Sequence, residues 1–156
     1  MSMNLSNLRG ETYTIINRIP KAAGTAETAR FQKHTLNHCG RQSGIYDRTS
    51  GQMFYKANTW TAYLCDWQTF RPPNWMDGGY YALTESEQET YFTANVGDLL
   101  IFSDVSDAVP ANLSEFNALA AKYKDCGGMI TGTEVYIRYK PNGTPWKTNH
   151  IEAVKG

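Results

Sequence analysis

The clearest pattern along the chain is a period of two over residues 59–65, where Trp60, Ala62 and Leu64 alternate with Thr61, Tyr63 and Cys65. Successive side chains on an extended chain point to opposite faces, so this segment predicts a strand with one apolar face. Residues 13–19 carry Ile15, Ile16 and Ile19 among Thr14, Asn17 and Arg18, and predict a strand that Pro20 ends. The small, polar residues 21–28 fit a loop. A less regular strand is expected over 29–39, around Phe31 and Leu36, closed by Gly40. Residues 44–55 read as a hairpin, because Ile45-Tyr46 and Met53-Phe54-Tyr55 flank a loop rich in Asp, Ser and Gly.

The regularity breaks over residues 68–90. Pro72 and Pro73 remove backbone donors and Gly78-Gly79 loosens the chain, yet Phe70, Trp75, Tyr80 and Tyr81 make this no disordered linker. It reads as a long loop pinned by its aromatics, with a helical turn at Thr84-Glu85-Ser86-Glu87. Residues 91–102 restore the strand pattern: a short strand at Tyr91-Phe92-Thr93, a turn at Gly97-Asp98, and a second strand at Leu99-Leu100-Ile101-Phe102. Gly97 can take the positive φ such a turn often needs, and Asp98 can tie the turn to its own backbone.

One helix is expected at about 112–125. Asn112 or Ser114 can cap it, Glu115 suits its first turn, and Phe116, Leu119, Ala120 and Tyr123 recur at helical spacing. Gly127-Gly128 would stop it. Residues 129–139 predict a strong strand with Val135, Ile137 and Tyr139 on one face, 141–145 a polar turn, and 150–154 a short closing strand. About seven strands and one helix give a mainly β fold, a small β-barrel or sandwich with long loops. Residues 1–156 form a single β-rich domain, with the aromatic loop at about 68–90 as its main insertion.

Composition narrows the function classes. Fifteen basic and fifteen acidic residues balance, which gives no broad attraction to nucleic acid or an anionic membrane. No apolar run approaches the roughly 18 residues of a membrane helix, and residues 1–6 lack a signal-peptide pattern, so synthesis in the cytoplasm is expected. Ten Tyr, six Phe and four Trp favour strands and a packed core, and also suit protein interfaces. Cys39, Cys65 and Cys126 are odd in number and unpaired in spacing, which predicts buried thiols rather than a disulfide framework.

Candidate chemistry is sparse. His34, His38 and Cys39 could form part of a metal site, since positions 34 and 38 of a strand share a face, but the paired spacing of zinc motifs is missing. A thiol nucleophile from Cys39 or Cys65 with His150 as base would need the fold to bring them within hydrogen-bond reach. Glu85, Glu87 and Glu89 sit in a polar loop and read as solvated rather than as a glycosidase pair. Phosphate-binding glycine motifs are missing. No enzyme, cofactor or metal is therefore expected, and Phe70, Trp75, Tyr80 and Tyr81 stand as candidate interface residues.

The order of segments resembles a family of small virion proteins encoded in the head–tail module of long-tailed bacteriophages. The resemblance rests on Arg18-Ile19-Pro20, the strand from Trp60 to Leu64, the loop around Pro73 and Trp75, and Tyr91-Phe92-Thr93 followed by Gly97-Asp98-Leu99-Leu100. It continues through a helix ending in Tyr123 to Val135 and His150-Ile151-Glu152-Ala153-Val154. Ile151 departs from it, standing where the family more often has an aromatic. The resemblance implies a head-completion or stopper-like connector located in the virion. Such a protein would form a homo-oligomeric ring between the portal or adaptor and the tail terminator, with double-stranded DNA passing without sequence specificity and no membrane involved. A small phage-encoded binding module or host-defence inhibitor would share this composition. For the ring, Trp75→Ala is expected to weaken assembly more than it lowers the melting temperature of the single chain. Thermal melting and native mass analysis check this, and equal losses in both would count against an anchor at Trp75.

Overall fold

The computed structural model describes residues 10–22, 25, 27–49, 52–74 and 77–156. The chain runs through β1 (Glu11–Pro20), β2 (Thr28–Thr49), β3 (Gln52–Leu64), α1 (Glu85–Thr90), β4 (Leu99–Ile101), α2 (Leu113–Lys122), β5 (Gly127–Met129), β6 (Gly132–Tyr136) and β7 (His150–Lys155). The seven strands pair antiparallel in one sheet of order β5-β4-β1-β2-β3-β7-β6. The fold is mainly β, as the alternation of apolar positions predicts.

β1 is buried on both faces. Tyr13 and Ile15 join Leu36, Trp60, Leu64, Leu100, Phe92 and Ile151 in one core, while Ile16 turns the other way and packs with Phe31, Leu99, Ile101 and Val105. α2 covers that second face with Phe116 and Leu119, and Phe116 stacks on Phe31 at 5.0 Å. Burying a Phe of this kind contributes on the order of 2 kcal/mol. Asn112 caps α2 by accepting from Glu115 N at 2.9 Å, and Thr84 caps α1 by accepting from Glu87 N. Among the described residues there are thus two α-helices, the helix expected near 112–125 and α1, which extends the helical turn expected at residues 84–87.

Four boundaries differ from the sequence reading. Gly40 does not end the second strand: it pairs with Tyr63, and β2 runs on to Thr49. Tyr91-Phe92-Thr93 is not a strand, because Phe92 makes only an isolated bridge to Phe70. α2 stops at Lys122, held there by Asp107, which accepts from Lys122 Nζ at 2.7 Å and from the Tyr123 hydroxyl at 2.5 Å. Gly127 and Gly128 are thus not a helix stop but part of β5. Residues 129–139 do not form one strand either, since Ile130 and Thr131 separate β5 from β6. Val135 and Tyr139 lie 50% and 59% exposed, whereas Ile137 packs against the core.

That break fixes the shape of the sheet. β5 and β6 are its two ends, yet only two residues of chain separate them. Ile130 N donates to Asp98 O at 2.8 Å, beside β4, and Thr131 N donates to Val154 O at 2.7 Å, on β7. One short segment thereby changes neighbours at a corner, and the sheet rolls until its ends meet through the chain. No ladder seals the seam among the described residues, so the sheet is open rather than a closed barrel. The glycines of β5 permit the approach. A Cβ on Gly127 would stand 2.2 Å from Leu100 O, and one on Gly128 would stand 2.7 Å from Lys155 Cδ.

The hairpin at 44–55 is present, and it outruns the sheet. β1 pairs with β2 from Thr28 to Cys39, and β7 pairs with β3 from Trp60 to Leu64. Beyond these ladders, Ile45 to Thr49 pair with Gln52 to Lys56 and with no other strand among the described residues, as a two-stranded ribbon roughly 16 Å long at about 3.3 Å per residue. Gly127→Ala is expected to lower stability by roughly 2–4 kcal/mol, because the clash is with a backbone oxygen that cannot move aside. Gly132→Ala, which meets nothing within 4 Å, is expected to stay within about 0.5 kcal/mol of the parent. Urea unfolding of both variants checks the pair.

Candidate functional site

The aromatic segment at 68–90 folds back on its own chain. Phe70 is 4% exposed and packs edge-on against Phe92 at 5.6 Å, fixed by Phe92 N donating to Thr69 O and Arg71 N donating to Phe92 O. Tyr80 is fully buried. Its hydroxyl donates to Gln88 O at 3.1 Å and lies 3.3 Å from His34 Nε2, while Gln88 Nε2 donates back to Tyr80 O at 2.9 Å. Arg30 of β2 donates to Gln88 Oε1. Burial pushes the Tyr80 hydroxyl up and the His34 imidazole down to about 4, which keeps both neutral at pH 7. Tyr81 is half-buried and accepts from Asn95 Nδ2 at 3.1 Å. Phe70 and Tyr80 thus lock the segment to the sheet and present no surface to a neighbour, and Trp75 lies outside the described residues.

The histidines separate rather than converge. Between Glu11↔Cys39 and Tyr13↔Leu36, two residues of β2, Asn37 and His38, oppose Thr12 alone, which makes a β-bulge. His38 adopts φ 57 there. Asp66 holds the bulge, accepting from Asn37 N at 2.9 Å and contacting His38 Nδ1 at 2.9 Å. The bulge breaks the shared face of positions 34 and 38, leaving His34 buried and the His38 side chain 66% exposed. Among the described residues, no group of three or more His, Cys, Asp or Glu side chains is placed to hold a metal ion. Burial pushes the Cys39 thiol up, away from the thiolate a nucleophile needs. His150 stacks on Tyr136 at 5.0 Å, with Nδ1 2.7 Å from Thr148 O and Nε2 3.3 Å from Glu152 Oε1. Glu85, Glu87 and Glu89 are exposed on α1.

The turn at Gly97-Asp98 carries more than the sequence suggests. Gly97 takes φ 93. Asp98 is 1% exposed, and its carboxylate accepts from three donors: Arg18 N at 2.9 Å, Asn17 Nδ2 at 2.8 Å and Asn95 N at 3.0 Å. The Asn17 side chain also pairs with Thr93 in the manner of a strand, donating to Thr93 O at 2.6 Å and accepting from Thr93 N at 3.3 Å. This node explains why residues 91–93 need no ladder of their own. Burial pushes the Asp98 carboxyl up to about 7, against the pull of its three donors.

Among the described residues, three of the six exposed large hydrophobics lie on or after β6, the others being Val96, Val109 and Leu113. β6 is an end strand, and β7 is its only ladder partner among the described residues. Val135 on β6, and Tyr139 and Trp146 just beyond it, are 50%, 59% and 47% exposed. Asn149 fixes the stem of this excursion by accepting from Arg138 N at 2.8 Å and donating to Arg138 O at 3.0 Å. Tyr136, Arg138, Trp146 and His150 are among the residues lining a cleft of about 410 Å³ there. The pattern at 129–139 marked the segment and put Val135, Ile137 and Tyr139 on one face, of which Ile137 packs against the core while Val135 and Tyr139 are half exposed.

No family model matches the chain, no curated protein matches it in sequence, and no solved structure matches its fold. Among the described residues, no helix is long and apolar enough to cross a membrane.

The Asp98 value has a pH consequence. It lies above the ordinary carboxylate value of 3.8, so the fold favours the protonated form and that stabilisation is full below about pH 4. It is lost as pH rises through about 7. The stability of the parent relative to Asp98→Asn is therefore expected to fall by on the order of 2–4 kcal/mol between pH 4 and 8. Scanning calorimetry across that range checks it; a constant difference would mean Asp98 does not titrate there.

Proposed function

We propose that this chain is a structural virion protein of the head–tail connector of a long-tailed phage. It assembles as a homo-oligomeric ring between the portal or adaptor and the tail, and double-stranded DNA passes without sequence recognition. The observation that carries the reading is the two-stranded ribbon of β2 and β3, which runs past every neighbouring strand of its own sheet. An isolated ribbon is marginal in water, and unpaired strand edges are templates for pairing with another chain. Such an arm, together with an end strand that has one ladder partner among the described residues, supports contact with other subunits. The even charge balance supports a conduit role, since a strongly basic channel would hold DNA rather than release it.

The test is the composition and architecture of particles. Mass spectrometry of purified phage particles from a host carrying this gene is expected to find the chain. Labelling by negative-stain microscopy is expected to place it at the neck. A chain missing from particles and purified only as a monomer or dimer would overturn the reading and favour the small binding module or defence inhibitor.

A further inference from the structure

We propose that the cleft beside β6 is a nucleotide-binding site, which takes a flat heteroaromatic base together with its phosphate. The site does not depend on the virion reading and goes beyond it.

The excursion between β6 and β7 departs from the charge balance of the chain. Residues 137–149 hold Arg138, Lys140 and Lys147 and no acidic residue, whereas the whole chain has fifteen residues of each sign. A local excess of positive charge on a neutral protein suits an anion. Tyr139 of the excursion meets Trp67 edge-on at 6.2 Å, whereas Arg138 and Trp146 line the cleft with Tyr136, Thr148, Asn149 and His150. At about 410 Å³ the cleft stands at the lower end of ordinary ligand pockets, which suits a single nucleotide.

The lining supplies both halves of such a ligand's chemistry. Tyr136 stacks on His150 with 5.0 Å between ring centroids and 16° between planes, and half-exposed Trp146 adds a second π surface. Flat faces of this kind accept a base by stacking. The exposed Arg138 guanidinium has no hydrogen-bond or ion-pair partner among the described residues, and its fork matches phosphate oxygens. Lys140 Nζ lies 5.4 Å from the Trp146 ring, so a second cation stands beside the stacking surface. A doubly charged phosphate answers two cations better than a single carboxylate does. The nearby carboxylates are engaged outside the cleft: Glu134 accepts from the Tyr136 hydroxyl, and Glu152 contacts His150 Nε2.

The backbone of the site is fixed in advance. Asn149 is 2% exposed and commits its side-chain amide to Arg138, accepting from Arg138 N at 2.8 Å and donating to Arg138 O at 3.0 Å. Trp146 N donates to Arg138 O at 3.1 Å, and Asn149 N donates to Trp146 O at 3.2 Å. Gly143 takes φ 86 in the turn, where Lys140 N donates to Thr144 O at 2.7 Å. Arg138 and Trp146 are thus held against each other by their backbones, while their side chains stay open to water. A frame set before binding lowers the ordering cost of a ligand.

The test is calorimetric titration of the full chain with AMP, UMP, adenosine, inorganic phosphate, indole-3-acetate and a short single-stranded DNA. The better of AMP and UMP is expected to bind with a Kd of about 1 mM or tighter. Adenosine and inorganic phosphate are each expected to bind about tenfold or more weakly than that nucleotide. Trp146→Ala and Arg138→Gln are each expected to weaken nucleotide binding about tenfold or more, Arg138→Lys less, and Tyr139→Ala not at all. Circular dichroism melting is expected to match the parent, and if Trp146→Ala melts early, Arg138→Gln alone decides.

A single strand that binds about tenfold or more tightly than the free nucleotide, and is weakened by the same variants, assigns the nucleotide to a strand. Weaker or equal binding assigns the site to the free nucleotide. Failure of the nucleotides and the strand alike overturns the site. So does a loss with Tyr139→Ala equal to that with Arg138→Gln, or no loss with Arg138→Gln. Inorganic phosphate binding as tightly as the nucleotide would mean a positive patch only, and indole-3-acetate binding as tightly would overturn the phosphate half.

Discussion

The buried carboxylate of Asp98 is the constraint on which the rest of the chain is arranged. It ties β1 to the turn before β4 through Arg18 N and Asn17 Nδ2, and fixes the turn through Asn95 N. Asn17, held in place by Asp98, then pairs with the backbone of Thr93 on both its N–H and C=O. Thr93 positions Phe92, and Phe92 carries the bridge to Phe70 that starts the aromatic segment. Buried polar groups are costly without partners; each Asp98 oxygen has a donor, while the buried Thr93 hydroxyl beside it has none among the described residues. The same residue also meets the corner of the sheet, since its backbone carbonyl accepts from Ile130 N.

Much of this was legible in the chain, and the rest fails for identifiable reasons. The period of two at Trp60-Ala62-Leu64 and the apolar run at Ile15-Ile16 gave strands, because burial on one face or on both leaves a direct mark on sequence. Asn112 and Glu115 gave a helix start through local hydrogen bonding. Gly97 gave the positive φ. Gly127 and Gly128 misled, because a glycine pair after a helix reads as a stop, while the reason for these two lies across the seam at Leu100 O and Lys155. Phe70 and Tyr80 misled in the same way. Aromatics in a loop between prolines and glycines suggest an anchor for a partner, yet their partners, Phe92, His34 and Gln88, belong to the same chain. Asp98 was read as a local turn residue, and its link to Asn17 spans 81 positions, which no local pattern reports.

The candidate surface was only partly legible. Residues 44–55 read as a hairpin, but its projection depends on where the β1 and β7 ladders end, at Cys39 and Trp60. Those ends are set by strand lengths elsewhere in the chain. Val135 and Tyr139 share the alternation of Ile137, yet they remain half in water while Ile137 packs against the core. An amphipathic pattern records which face is apolar, and says nothing about whether the protein's own chain or another covers it.

The corner at Ile130 and Thr131 has a mechanical consequence. In an ordinary open sheet the two outermost strands fray separately, each at low local cost. Here the outermost strands are consecutive parts of one backbone, so tension that peels β6 from β7 is transmitted within two residues to β5 and its bond to β4. Loosening of β6 that starts at Gly132 therefore loads β5 directly, whereas fraying from its far end at Tyr136 does not.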